Sequence, residues 1–253
     1  MKFLALVQAR CGSSRLPDKV LLDLAGKMLA ERVIERTRLS RFVDEVILTT
    51  SINKENLPLI SLCSGKGIRV FAGSEDDVLD RFYQAAKLIQ PEYVVRITAD
   101  CPFYDAQILD SAIEALQKNV DYLTDLDCTL ADGLDIEIVK FSALRTAWEK
   151  ATLQSEREHV TLYIKNNKDK FKIQNFNSPF DNIGNKRWTI DEPRDYEFAR
   201  KVYEHFADIK ESFFTGDILS FLQQNKELEQ LNSNIIRNEG LLKSLEADKG
   251  NNK

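Results

Sequence analysis

The chain opens on a nearly continuous apolar run, Phe3–Gln8. Such runs mark strands buried on both faces of a parallel sheet. A helical pattern follows over residues 28–38, with Leu29, Val33 and Ile34 on one face. Residues 45–50 read as a second buried strand, 57–63 as a helix and 68–71 as a third strand. Residues 77–89 form an amphipathic pattern with Val78, Leu79, Phe82 and Ala86 at helical spacing. Residues 93–98 read as a fourth strand and 106–116 as the next helix. This alternation predicts an α/β fold, three-layered and Rossmann-like, around a parallel sheet.

The second half is less regular. Strands are expected at 121–124, 134–139, 171–174 and 187–190, and helices at 142–150, 156–166 and 193–205. An extension of this kind predicts an open, mostly parallel mixed sheet rather than a barrel. From Phe213 the chain turns helical and polar. The expected organisation is a main domain over residues 1–212 and a helical appendage over 213–253, ending in a flexible GNNK tail.

Composition narrows the partners. Hydrophobic residues make up 43% of the 253, enough for a full core. The net charge of -5 argues against a grip on long nucleic acids, which needs a basic field. The four cysteines form no CxxC pair and only two histidines are present, so neither a zinc site nor a disulfide framework is expected. The first apolar run is too short for a signal peptide, and no stretch approaches the roughly 20 apolar residues of a membrane span. The expected location is cytoplasmic, with no membrane partner.

The chemistry concentrates after the strands. Gln8–Lys19, QARCGSSRLPDK, follows the first strand directly, where open α/β sheets bind ligands. Gly12, Ser13 and Ser14 can turn tightly and present N–H groups to an anion. Arg10, Arg15 and Lys19 add three positive charges suited to phosphate oxygens. The segment is neither a Walker A loop nor a GxGxxG fingerprint. Its other reading is a solvated basic loop. Asp100 in RITADCP and Asp191 in WTIDEPRD each follow an expected strand, where a carboxylate can hold a divalent ion over a triphosphate. The competing readings are a turn cap for Asp100 and a helix N-cap for Asp191. Pro193 suits the first helical position, and Asp195 the first turn of that helix.

QARCGSSRLPDKVLLDLAGKML resembles the N-terminal signature of the cytidylyltransferases that activate KDO and sialic-type sugar acids, with Met28 where a proline is usual. GSEDDVLDRF, ADGLDIE, SEREH, WTIDEPRD and NEGLLKSL extend the resemblance over nearly the whole chain, toward the spore-coat polysaccharide (SpsF-like) type. The resemblance implies a GT-A-like nucleotidyltransferase fold and CMP transfer from CTP to an acidic sugar or other anionic acceptor. It implies Mg²⁺ on Asp100 and Asp191, and a homodimer. It puts Arg10, Arg15 and Lys19 on phosphates, Gln8 and Ala9 by the cytosine, and Arg81 near the nucleotide. Asp135 and Glu137 are expected to face the acceptor from one strand. Arg157 and His159 are expected to meet its carboxylate or phosphate. Ser155 and Glu158 also have the spacing of a capping box.

Two alternatives keep the fold. One is another nucleotide with a sugar phosphate acceptor. The other is a glycosyltransferase, for which Asp125-Leu126-Asp127 supplies a D-x-D pattern.

Overall fold

Strand β1 (Phe3–Gln8) is apolar throughout because both of its faces are covered. Phe3, Ala5 and Val7 enter one hydrophobic core, while Leu4 and Leu6 enter another across the sheet. A computed structural model of the chain describes residues 1–251 except Ser14, Asp208, Lys210, Glu211 and Asn238.

After β1 the chain makes a two-rung hairpin of β2 (Asp23–Leu24) and β3 (Lys27–Met28), then α1 (Leu29–Arg38). The alternation continues with β4 (Glu45–Ser51), α2 (Leu57–Gly65), β5 (Arg69–Gly73) and α3 (Val78–Ile89). The Asp77 side chain caps α3 by accepting from the Asp80 N–H at 2.8 Å. Then come β6 (Tyr93–Thr98) and α4 (Ala106–Ala115). The later elements are β7 (Tyr122–Thr124), β8 (Glu137–Lys140), α5 (Phe141–Lys150), α6 (Gln154–Glu158), α7 (Leu162–Asn166) and β9 (Ile173–Asn175). Four helices close the described chain: α8 (Pro193–Ala207), α9 (Thr215–Gln224), α10 (Lys226–Glu229) and α11 (Glu239–Asn251).

The main sheet has the order β5-β4-β1-β6-β8-β7-β9. Strand β1 pairs in parallel with both β4 and β6, and β8 is antiparallel to β6 and β7. The sheet is therefore mixed and mostly parallel, with helices on both faces. Because β1 lies between β4 and β6, the connections leaving β1 and β6 diverge. A crevice opens beyond their carboxyl ends, at Gln8 and Thr98.

Several expected elements come out differently. The strand expected at 134–139 begins only at Glu137, because Gly133 turns the chain at φ +103°. Residues 187–190 make an isolated bridge to Asp132 and no ladder. Their alternation reflects burial: Trp188 and Ile190 enter the core, while Thr189 and Asp191 face the crevice. The helix expected at 156–166 is broken into α6 and α7, with Val160 at φ +42° between them.

The C-terminal segment is tied to the rest. Phe213, Ile218, Leu222 and Leu228 join the larger core. Asp105 caps α4 with one oxygen, and its other oxygen accepts from the N–H and hydroxyl of Thr215, both at 2.7 Å. Helix α11 continues into the expected GNNK tail as far as Asn251. Among the described residues no helix is long and apolar enough to cross a membrane.

Candidate active site

The loop after β1 is fastened at both ends. The Ala9 N–H donates to Thr49 O, and the Cys11 N–H to Asn56 Oδ1 at 2.8 Å. The Ser13 N–H donates to Cys11 O, so it is already engaged within the loop. Gly12 stands in open space, and Ser14 lies outside the described residues. Cys11 is buried, and burial, with Asp18 nearby, pushes its thiol up to about 11, which favours the protonated form. Arg10 is half exposed and pairs with Glu75 at 3.0 Å. Arg81 lies buried behind that pair and donates to Ser74 O at 2.6 Å. Burial pushes Arg81 down to about 10, with Arg10 pulling the same way against Glu75 and Asp77.

Lys19 is the centre of the charged mouth. Its ammonium donates to Asp100 Oδ2 and Asp191 Oδ1, both at 2.7 Å, and to Ile190 O at 2.8 Å. Burial raises the Asp100 carboxyl, but the Lys19 charge overcomes it and holds Asp100 near 2. Lys19 itself is lowered by burial and raised further by the two aspartates, so it stays charged. Arg15 faces Asp191 at 3.3 Å, Glu192 at 3.8 Å and Glu239 at 2.8 Å.

Arg187 fixes this arrangement from behind. It bonds Asp132 at 2.8 Å, Asp191 at 3.1 Å and both oxygens of Asp195. Asp195 is fully buried and accepts the N–H groups of Asp191 and Glu192. It therefore shapes the turn that presents Asp191, beyond any effect on the helix dipole. Asp191 is not an N-cap, since α8 begins at Pro193 and Glu192 precedes it. Among the described residues no group of three or more His, Cys, Asp or Glu is placed to hold a metal. Two carboxylates converging on one cation nevertheless fit Mg²⁺, which takes one or two carboxylates and leaves its other positions to phosphate and water.

Beyond this mouth lies a cavity of about 350 Å³ lined by Gln8, Arg96, Asp132, Asp135, Glu137, His159 and Lys165 among others. Glu137 is sunk in its wall. Its Oε1 accepts from Tyr122 Oη at 2.5 Å, Thr161 Oγ1 at 2.7 Å and Lys165 Nζ at 3.1 Å, and its Oε2 accepts from Arg96. Burial pushes the Glu137 carboxyl up, but Arg96 and Lys165 overcome it and hold it well below the usual range. Asp135 precedes the strand and pairs with Arg237 at 2.8 Å. It reaches the same cavity as Glu137, but from the loop. Burial, with Asp135 nearby, pushes Asp132 up to about 6 despite Arg237 and Arg187. His159 Nε2 lies 3.0 Å from Ser244 Oγ, and burial lowers its pKa against the pull of Glu158.

Arg157 is not part of the cavity wall. Its guanidinium bonds Asp77 Oδ2 through Nε and Nη2 and donates to Trp148 O, because α6 turns it toward α3. The capping box at Ser155 and Glu158 does not form: Ser155 lies within the helix with its hydroxyl buried and unpartnered. Each D-x-D carboxylate makes a local bond, but Asp125 also lines the cavity, and its Oδ1 is buried with no partner among the described residues. Asp125 accepts from the Leu130 N–H and Asp127 from Asn175, each at 2.7 Å.

A family model described as cytidylyltransferase matches residues 4–243. The chain belongs to the cytidylyltransferase family. It is 32% identical to the spore coat polysaccharide biosynthesis protein SpsF of Bacillus subtilis, over 88% of this chain and 95% of that one. It is 33% identical to 3-deoxy-manno-octulosonate cytidylyltransferase of Geobacter sulfurreducens, over 55% and 57% of the two chains. The structure of a cytidylyltransferase from Leptospira borgpetersenii superposes with a TM-score of 0.85, at 32% identity, over 94% of this chain and all of that one. The fold is thus that of a nucleotidyltransferase enzyme.

Within this cytidylyltransferase, sequence motifs reached Lys19, Asp100, Asp191 and Arg15, which the fold brings together. They missed Arg96, Lys165, Arg187 and Arg237. Arg96 left a faint signal, as a lone charge inside the apolar run YVVRIT. The other three were covered only by expected elements or motifs around them, none of which marked the side chain itself as a site residue.

Proposed function

We propose that this cytidylyltransferase transfers CMP from CTP to a small acceptor bearing an anionic group, an acidic sugar foremost, in surface polysaccharide or glycoconjugate biosynthesis. The supporting observation is the convergence of Lys19 on Asp100 and Asp191, beside Arg15, at the mouth of a cavity of about 350 Å³. An acceptor oxygen attacks the α-phosphorus of CTP, and the bond to pyrophosphate breaks. Catalysis is mostly positioning and charge stabilisation.

Arg10, Arg15 and Lys19 offset the charge that grows on the leaving pyrophosphate. The loop from Gln8 to Ser13 borders the nucleotide, with Gln8 and Ala9 by the cytosine and Arg81 buried behind the Arg10–Glu75 pair. Asp100 and Asp191 would hold Mg²⁺, which when bound supplies positive charge to phosphate oxygens and makes an acceptor hydroxyl easier to deprotonate. Asp135, Glu137 and His159 border the acceptor. By family likeness the enzyme works as a homodimer in the cytoplasm, and light scattering on the purified protein tests the oligomer.

The deciding experiment is pyrophosphate release from each of the four NTPs with Mg²⁺, against sugar acids and phosphorylated small molecules. Release with CTP alone and an acidic acceptor supports the reading. Binding of a finished sugar nucleotide without pyrophosphate release overturns it.

A further inference from the structure

The carboxylates of the cavity outnumber its cations, yet the charge is unevenly spread. Arg15 faces three carboxylates, Asp191, Glu192 and Glu239. Asp132 and Asp135 are matched by Arg187 and Arg237. At the end beneath Gln8 and His159 the balance reverses. Arg96 and Lys165 both pair with Glu137 and, among the described residues, with no second carboxylate.

Two cations therefore share one anion on a cavity wall. Glu137 has no capacity to spare, since Tyr122 and Thr161 also donate to it. Arg96 does. Of its five N–H donors, one set reaches Glu137 and another makes a long 3.4 Å bond to Gln8, while Nε is buried with no partner. Lys165 is 39% exposed in its side chain and has N–H groups beyond the one given to Glu137. A buried guanidinium with an orphaned donor is costly unless something else completes it.

We propose that Arg96 and Lys165 form the subsite for the acceptor's anionic group, a carboxylate or a phosphate, with Glu137 as the single counter-charge the two cations share. This rests on the cytidylyltransfer reading above. It gives the recognition of the anion to two residues on β6 and α7, and not to Arg157, which is spent on Asp77.

The test follows the Arg96 Nε–H resonance by NMR while inorganic phosphate or acetate is added, with and without saturating CTP. Arg96→Lys removes the resonance and so identifies it. A saturable shift is expected, and the tighter of the two anions names the acceptor's group. Lys165→Met should weaken that binding about tenfold, since a charge-assisted contact is lost. Glu137→Gln should leave it as tight or tighter, because the cavity end becomes more positive. No saturable shift with either anion overturns the proposal. So does a Glu137→Gln variant weakened as much as Lys165→Met, the result expected of a merely structural triad. CTP-induced thermal stabilisation, measured on the same samples, tests the cytidylyltransfer reading separately.

Discussion

The Lys19 ammonium stands 2.7 Å from Asp100 Oδ2 and 2.7 Å from Asp191 Oδ1. These three residues come from a loop after β1, a turn after β6 and a turn before α8. One cation thus marks the point where the two carboxylates meet. If that point carries the chemistry, Asp100→Asn and Asp191→Asn should each lower CTP-dependent pyrophosphate release about 10²- to 10³-fold. Chelation of Mg²⁺ should silence the unaltered enzyme in the same assay. A variant keeping a third or more of the activity would remove its residue from the role proposed here.

Asp132 predicts a pH-dependent stability. Its carboxyl is pushed up to about 6, so its ionised form is disfavoured in the folded protein. The folded state then holds a proton that the unfolded state releases near 3.8, and stability falls as pH rises from about 4 through 6. Asp132→Asn removes this cost. The variant should gain on the order of 1–2 kcal/mol relative to the unaltered protein on going from pH 4 to pH 8. Urea unfolding at the two pH values measures it, and an equal effect at both would sink the assignment.

Gly133 is the hinge of the acidic loop. An added Cβ would lie 2.7 Å from the Trp188 carbonyl carbon and 2.8 Å from Thr189 N, at a φ of +103°. The neighbours are backbone atoms of the segment leading to Asp191, so they cannot swing aside. Gly133→Ala should cost about 2–4 kcal/mol and lower activity together with stability. An unchanged urea midpoint would contradict the packing.

Arg157 separates structure from binding. It ties α6 to Asp77, the cap of α3, and to Trp148 O. Arg157→Ala should therefore lower stability by about 1–2 kcal/mol, through the lost charge-assisted bonds. The KM for the acceptor should stay within about threefold. A tenfold rise in KM at full stability would return Arg157 to the acceptor site.

Much of the protein was set by local pattern. The strands β1, β4 and β6 and the helices α1, α3 and α4 are legible because burial on two faces writes a continuous apolar run, and burial on one face writes a helical stripe. The basic loop and the two aspartates are legible because each follows a strand at the open edge of the sheet. Tertiary structure decided the rest. Leu134–Val139 and Arg187–Ile190 carry the alternation of strands, yet a glycine turn and pinning by neighbouring loops, not ladders, hold much of them. Glu137 read as an acceptor contact from its place two residues after Asp135. Only folding brings it Arg96 from 41 residues away and Lys165 from 28, and a carboxylate so paired is a scaffold for cations. Arg157 and Arg187 look alike as single letters in polar stretches. Which of them faces the site depends on the direction a helix or turn takes, and long-range packing sets that direction.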